Sequence, residues 1–165
     1  MPPKGFGLVH RKTKDEINIG SFYMNDKYID AFSKGIHLTK NINRINLARN
    51  QLTTNRTIKI LHMVPPTLKE LNLSYNPSLS IEAYHVLVEC LIESPYFKLE
   101  RLILEGCKIT DSIVAVLSQA IEYNSSLRYL DLSRNDIHEY GAKDLASMMV
   151  NNNSLSILFL HWNPL

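Results

Sequence analysis

The apolar residues of this chain follow one spacing that returns along almost its whole length. Residues 127–137 have the spacing L-x-x-L-x-L-x-x-N-x-I, and the same spacing starts again at residue 155. Earlier copies start at residues 42, 68 and 99, and a degenerate one at residue 14, so the steps are 28, 26, 31, 28 and 28 residues. A period of this kind predicts stacked supersecondary units rather than one irregular core.

Each copy predicts a short strand followed by a helix. The alternation of Leu130 and Leu132 places two side chains on the same face of a strand. Gly141, Leu145 and Met149 then fall at helical spacing, and a right-handed helical crossover is the usual way to reach the next parallel strand. We therefore predict about six parallel strands in one sheet. The sixth copy, from residue 155, is incomplete because its helix is absent.

A polar residue recurs where each strand is predicted to end. Asn50, Asn76, Asn135 and Asn163 occupy this position, and Cys107 fills it in the fourth copy. An amide side chain there can satisfy backbone groups that would otherwise be buried without a partner. For Cys107 we favour an inert buried thiol, and a reactive thiol is the alternative.

The repeat resembles a known family. Its 28-residue period, with I-x-x-x-G-A-x-x-L-A over residues 137–146, is similar to leucine-rich-repeat proteins of the ribonuclease-inhibitor-like class. The resemblance covers residues 14–165 and implies an α/β right-handed solenoid with parallel strands on the concave face and helices on the convex face. It also implies that the surface serves to bind other proteins. Residues 1–13 form a separate basic tail, expected to be solvated, with docking against an acidic partner as the alternative.

In the geometry that the resemblance implies, the non-leucine positions of each strand point into the concave face. Equivalent positions of successive strands then form columns along the solenoid. The C-terminal copies gather aromatic, apolar and arginine side chains, the residue types that dominate binding at protein interfaces. The candidate partner-binding residues are Arg101, Ile103, Tyr129, Asp131, Arg134, Ile157, Phe159, His161 and Trp162. For Phe159 and Trp162, burial under a further repeat or a C-terminal cap is an equally weighted alternative.

The open C-terminal edge is the second candidate interface. The last copy stops at Leu165, and an uncapped sheet edge invites pairing. We expect this edge to be covered by a partner, by another copy of the chain, or by further repeats.

Composition argues against several function classes. The 18 Lys and Arg residues are nearly balanced by 16 Asp and Glu residues, so nucleic-acid binding is not expected. The absence of a long apolar run and of a secretory signal predicts an intracellular, cytoplasmic protein without membrane insertion. Two cysteines without CxxC spacing and six scattered histidines predict neither a metal site nor a cofactor.

The sequence offers little support for catalysis. It contains no nucleophile-elbow, zinc-protease or phosphate-loop motif. Glu105 and Asp131, on neighbouring strands, are the nearest approach to a pair of carboxylates, but we favour two solvated groups near Arg101 and Arg134. We therefore predict that the protein is not an enzyme.

Two function classes follow from the resemblance. The first is a non-catalytic scaffold, a subunit of a larger intracellular assembly that by analogy could be ciliary or cytoskeletal. The alternative is a regulator of a small GTPase, because Ran GTPase-activating proteins resemble this class of repeat. A nuclease inhibitor is a third possibility, but such inhibitors are strongly acidic and rich in cysteine, and this chain is neither.

Overall fold

Six short strands form one parallel sheet in chain order. The computed structural model describes residues 15–24, 26–37 and 41–165, so the basic segment 1–13 lies outside the described residues. The strands are β1 (Glu16–Asn18), β2 (Arg44–Asn46), β3 (Glu70–Asn72), β4 (Arg101–Ile103), β5 (Tyr129–Asp131) and β6 (Ile157–Phe159). Each strand begins two residues after the start of a copy that the apolar spacing predicts, which confirms the sheet.

Helices connect the strands on the other face of the sheet. They are α1 (Asp26–His37), α2 (Thr54–Leu61), α3 (Ile81–Leu87), α4 (Asp111–Ile121) and α5 (Glu139–Asn151). A π-helical turn, Val88–Ile92, continues α3 and lies in the longest repeat. In α4, Ile113, Val114 and Leu117 form a buried stripe against the sheet. The fold is therefore the predicted α/β leucine-rich-repeat solenoid, with the strands on its concave face.

The core is one continuous column of leucine and isoleucine side chains. Leu102 pairs in register with Leu130, and both side chains are completely buried. Full burial of each such side chain stabilises the fold by roughly 1.5–3 kcal/mol. Leu158, the equivalent residue of β6, is only partly buried because no described element lies beyond it.

The last strand leaves backbone donors without a described partner. The N–H groups of Leu132 and Arg134 donate to the carbonyl oxygens of Phe159 and His161. The equivalent N–H groups of Leu160 and Trp162 donate to no backbone acceptor within residues 15–24, 26–37 and 41–165. β6 is thus an edge strand of the described sheet, as β1 is at the other end, and its covering by a partner, another copy or further repeats stays a prediction.

Buried asparagines hold successive repeats together. Asn135 is an example, because its buried side chain forms five hydrogen bonds to backbone groups. Its Nδ2 donates to the carbonyl oxygens of Leu104, Leu132 and Ser133 at 2.9, 2.9 and 3.1 Å. Its Oδ1 accepts from the N–H groups of Cys107 and Ile109 at 2.9 and 3.0 Å. Asn76 and Asn163 make the same kinds of contact, which confirms the predicted role of this position.

Cys107 takes the asparagine position in the fourth repeat with fewer contacts. Its Sγ donates to the carbonyl oxygens of Leu73 and Glu105 at 3.3 and 3.7 Å. The buried Tyr84 hydroxyl lies beside the thiol without forming a hydrogen bond of good geometry. Tyr84 of α3 occupies the position that Val114 has in α4. A larger helix residue therefore accompanies Cys107, which is smaller than the asparagine it replaces.

We predict that Asn135→Ala lowers the free energy of unfolding by about 3 kcal/mol, because two buried N–H groups and three carbonyls lose their partner. The matched control is Asn46→Ala on the concave face, where the half-buried side chain accepts only the Ala48 N–H, at 3.0 Å. We expect the control to cost less than about 1 kcal/mol. Urea unfolding of both variants measures the difference, and equal losses would contradict a structural role for the buried asparagine.

Candidate protein-binding site on the concave face

The nine predicted site residues lie on the last three strands and the turns that follow them. The register places Arg101, Tyr129 and Ile157 in one row across the sheet. Ile103, Asp131 and Phe159 form a second row beside it. Arg134, His161 and Trp162 follow β5 and β6 at the exit of their strands. The structure therefore brings these residues together on one end of the concave face.

Large apolar side chains are exposed at this end. Trp162, Ile157 and Phe159 are 72%, 45% and 39% exposed. The rings of Phe159 and Tyr129 lie 5.5 Å apart between centroids with tilted planes, a favourable aromatic arrangement. Burial, followed by the charge of Asp131, raises the pKa of the Tyr129 hydroxyl. Tyr129, Ile157, Phe159 and Trp162 are called the C-terminal patch below.

An ion pair and a ring contact fix the position of Arg101. Its Nε lies 3.2 Å from Oε2 of Glu70, which belongs to the preceding strand. Its Cζ lies 3.8 Å from the centroid of the Tyr129 ring on the following strand. The guanidinium is thus stacked on the C-terminal patch while a carboxylate balances its charge.

A second network of the same kind holds Arg134. Its Nε lies 3.0 Å from Oε1 of Glu105, and its Cζ lies 5.3 Å from the Trp162 ring centroid. The Tyr75 hydroxyl donates to the same Glu105 oxygen at 2.5 Å, and this hydrogen bond is the main cause that raises the pKa of Tyr75. Arg134 and Trp162 were predicted as site residues, whereas the supporting role of Tyr75 was not.

The imidazole of His161 is held at the edge of the patch. Its Nδ1 lies 2.9 Å from the hydroxyl oxygen of the buried Ser133. Its ring meets the ring of Phe159 edge-on, with 5.7 Å between centroids. These contacts orient both rings toward the same surface.

Glu105 and Asp131 do not form a carboxylate pair. Glu105 contacts Tyr75 and Arg134, whereas Asp131 Oδ1 accepts the N–H of Ser133 at 2.9 Å. No hydrogen bond joins the two carboxyl groups, which agrees with the favoured interpretation of separate groups. Within the described residues, no group of three or more His, Cys, Asp or Glu side chains could hold a metal ion. The described helices are also too short or too polar to cross a membrane.

Gly106 makes room for the Tyr75 side chain. Its φ of +65° is in the left-handed region, and a Cβ placed on it would lie 2.8 Å from Cδ1 of the Tyr75 ring. The equivalent residues Ser21, Arg49, Tyr75, Arg134 and Trp162 are also left-handed, so the conformation belongs to the repeat. The sequence pattern does not predict the supporting contacts of Glu70, Tyr75 and Gly106, because these depend on side-chain conformation.

Comparisons with known proteins agree with this architecture. The family model described as Leucine Rich repeat matches residues 64–80, 97–118 and 123–146. The ribonuclease inhibitor of Sus scrofa is 40% identical over 80 residues, which are 48% of this chain and 17% of that protein. The NACHT, LRR and PYD domains-containing protein 14 of Mus musculus is 36% identical over 106 residues, 64% of this chain and 10% of that protein. The chain thus spans less than a fifth of the length of these relatives.

A solved structure shares the fold at low sequence identity. Leiomodin-1 Actin-Binding Site 2 superposes with a TM-score of 0.57 at 18% identity, over 67% of this chain and 62% of that one. Together with the six-stranded solenoid, these matches identify the chain as a leucine-rich-repeat protein whose repeats resemble those of ribonuclease inhibitors.

We predict that only one of the two thiols reacts in the folded protein. Burial raises the pKa of Cys107 to about 11, so its thiolate is scarce at pH 8 and the side chain is inaccessible. Cys90 is half-buried, and burial followed by the charge of Glu89 raises its pKa, so it reacts slowly but measurably. Iodoacetamide labelling with mass spectrometry should modify Cys90 in the native state and Cys107 only after unfolding. Native labelling of Cys107 in a Cys90→Ser variant would support the reactive-thiol alternative.

We predict that Gly106→Ala displaces the Tyr75 ring and breaks its bond to Glu105. The expected loss in free energy of unfolding is about 2 kcal/mol, of which about 1 is the left-handed backbone strain. In a Tyr75→Ala background the same substitution should cost only the strain. Urea unfolding of the four proteins of this cycle provides the test, and an equal cost in both backgrounds would rule out the steric explanation.

Proposed function

We propose that the protein is a non-catalytic protein-binding scaffold that holds its partner with the C-terminal patch. Four large side chains lie next to one another on the patch, and three of them are exposed. Apolar groups of this size are normally buried, so their exposure on one face favours contact with another molecule. This exposure on the concave face is the single observation that carries the proposal.

The surroundings of the patch favour a protein rather than a small molecule. The patch lies on an open sheet face, whereas small-molecule sites are enclosed cavities. Charged side chains accompany its apolar ones, as they do at protein interfaces: Arg101 and Arg134 lie against the rings of Tyr129 and Trp162, and Asp131 pairs in register with Phe159. The proposed role is a subunit of a larger assembly. Analogy with other proteins that carry such repeats supports a cytoskeletal or ciliary location. The solved structure of the leiomodin-1 actin-binding site shares only the fold with this chain.

We predict that Phe159→Asn combined with Trp162→Ser abolishes partner binding without unfolding the protein. Both replacements already occur at equivalent positions of this chain, since Asn18, Asn46 and Asn72 match Phe159, and Ser21, with φ of 65°, matches Trp162. The experiment isolates the tagged chain from its source cells, with and without a GTP analogue, and quantifies its stoichiometric companions by mass spectrometry. Companions should be lost from the double variant and be insensitive to the nucleotide.

The matched control removes two large exposed side chains from the convex helix α5. Tyr140→Ser with Val150→Gln changes residues that are as exposed as Trp162, and it should keep the companions. Loss of companions in this control and not in the patch variant would assign binding to the convex face. A small GTPase captured in one nucleotide state would favour the regulator instead of the scaffold.

A further inference from the structure

The carboxylate of Asp131 carries a charge that the fold does not need. Its Oδ1 accepts the N–H of Ser133 at 2.9 Å. At the equivalent positions of earlier repeats, an uncharged amide oxygen accepts the N–H two residues further on, in Asn18, Asn46 and Asn72. An amide would therefore serve this turn as well as the carboxylate does, and the negative charge of Asp131 calls for another explanation.

Asp131 forms no ion pair within the described part of the chain. The two arginines of the candidate site are engaged by other acids. Arg101 Nε lies 3.2 Å from Oε2 of Glu70, and Arg134 Nε lies 3.0 Å from Oε1 of Glu105. These five side chains together supply three carboxylates and two guanidinium groups, so they carry one negative charge in excess.

The unpaired carboxylate lies among the apolar residues of the concave face. Asp131 pairs in register with Ile103 on one side and with Phe159 on the other. Neighbouring strands are about 4.8 Å apart, so a molecule that covers the Phe159 ring also covers Asp131. After burial, the charge of Asp131 is the next cause that raises the pKa of Tyr129, which places the carboxylate beside the C-terminal patch.

A partner that covers the C-terminal patch must take Asp131 out of water. Burying an unpaired carboxylate is costly, and a cation on the partner offsets that cost, whereas a second anion adds repulsion. Neither Arg101 nor Arg134 can turn to Asp131 without leaving its own glutamate unpaired. Arg128, which precedes β5, donates to the carbonyl oxygen of Ser154 at 3.2 Å. The balance of charges therefore favours a partner that brings the positive charge itself.

We propose that the C-terminal patch recognises a segment of a partner protein that places a lysine or arginine side chain on Asp131 and apolar side chains on Ile157 and Phe159. The Oδ2 atom of Asp131 accepts no hydrogen bond from the described residues and is available to the cation. The methylene groups of a basic side chain pack on the Phe159 ring while its charged end reaches the carboxylate. This inference rests on the proposed function and adds the chemistry of the partner to it.

The test is a selection of random short peptides, displayed on phage, on the folded full chain. We expect the peptides that lose binding to the Phe159→Asn variant to carry a lysine or arginine next to apolar residues. Synthetic copies, measured by fluorescence anisotropy, should bind the Asp131→Asn variant about tenfold more weakly, the loss expected for one charged hydrogen bond. Asp131→Asn keeps the oxygen that accepts the Ser133 N–H, so its urea unfolding midpoint should match that of the original chain.

A substitution in the peptide shows whether the two charges meet. Peptides in which glutamine replaces the basic residue should bind the original chain about tenfold more weakly, and they should not distinguish it from Asp131→Asn. Asp136→Asn is the matched control, because it removes the same charge from a side chain that is 64% exposed between β5 and α5. This control should leave the affinity for the basic peptides unchanged.

The outcomes separate the two proposals. Peptides that depend on Phe159 but carry no basic residue, or that bind Asp131→Asn as well as the original chain, would overturn the basic partner and leave the binding scaffold intact. An equal loss in Asp136→Asn would reduce the effect to the net charge of the chain and would overturn the basic partner too. A selection that yields no peptide dependent on Phe159 or Trp162 would overturn both proposals.

Discussion

The structure depends on satisfying the backbone groups at the points where its very short strands end. A strand of three residues forms few ladder hydrogen bonds, and the turn that follows it is buried between two neighbouring turns. Asn135 satisfies the buried backbone groups of this turn by forming hydrogen bonds within its own repeat and to the preceding one. Because each such asparagine spans two repeats, it holds the stacking distance as well as the turn. The leucine core can then form as a continuous column.

The repeat is least regular where the surface changes character. Between the third and fourth repeats the asparagine is replaced by Cys107, a tyrosine enters the core at Tyr84, and Gly106 opens space for Tyr75 on the concave face. The third repeat also carries the π-helical turn. On the N-terminal side of this region the concave strand positions are polar or charged, and on the C-terminal side they include Tyr129, Ile157 and Phe159. A change in one repeat is tolerated because each repeat contacts mainly its neighbours.

The concave surface combines apolar exposure with arginines that have little freedom left. Glu70 and Glu105 keep the guanidinium groups of Arg101 and Arg134 in place, and the aromatic rings support them from the next repeat. Such pre-organisation reduces the entropy lost on binding, so a small surface can bind specifically. The long-range charge of the chain contributes little, since its net charge is only +2.

The sequence by itself determined the repeat and the register of the six strands, because leucine and asparagine return at equivalent positions of each copy, and the resemblance to leucine-rich repeats implied the solenoid. It also determined which residues share a column, and so brought Arg101, Tyr129 and Trp162 to one end of the surface. Only the tertiary structure decided the side-chain contacts: the bond from Tyr75 to Glu105, the ion pair from Glu105 to Arg134, and the close approach of Tyr75 to Gly106. These depend on side-chain rotamers and on distances across three repeats, and a periodic pattern contains neither.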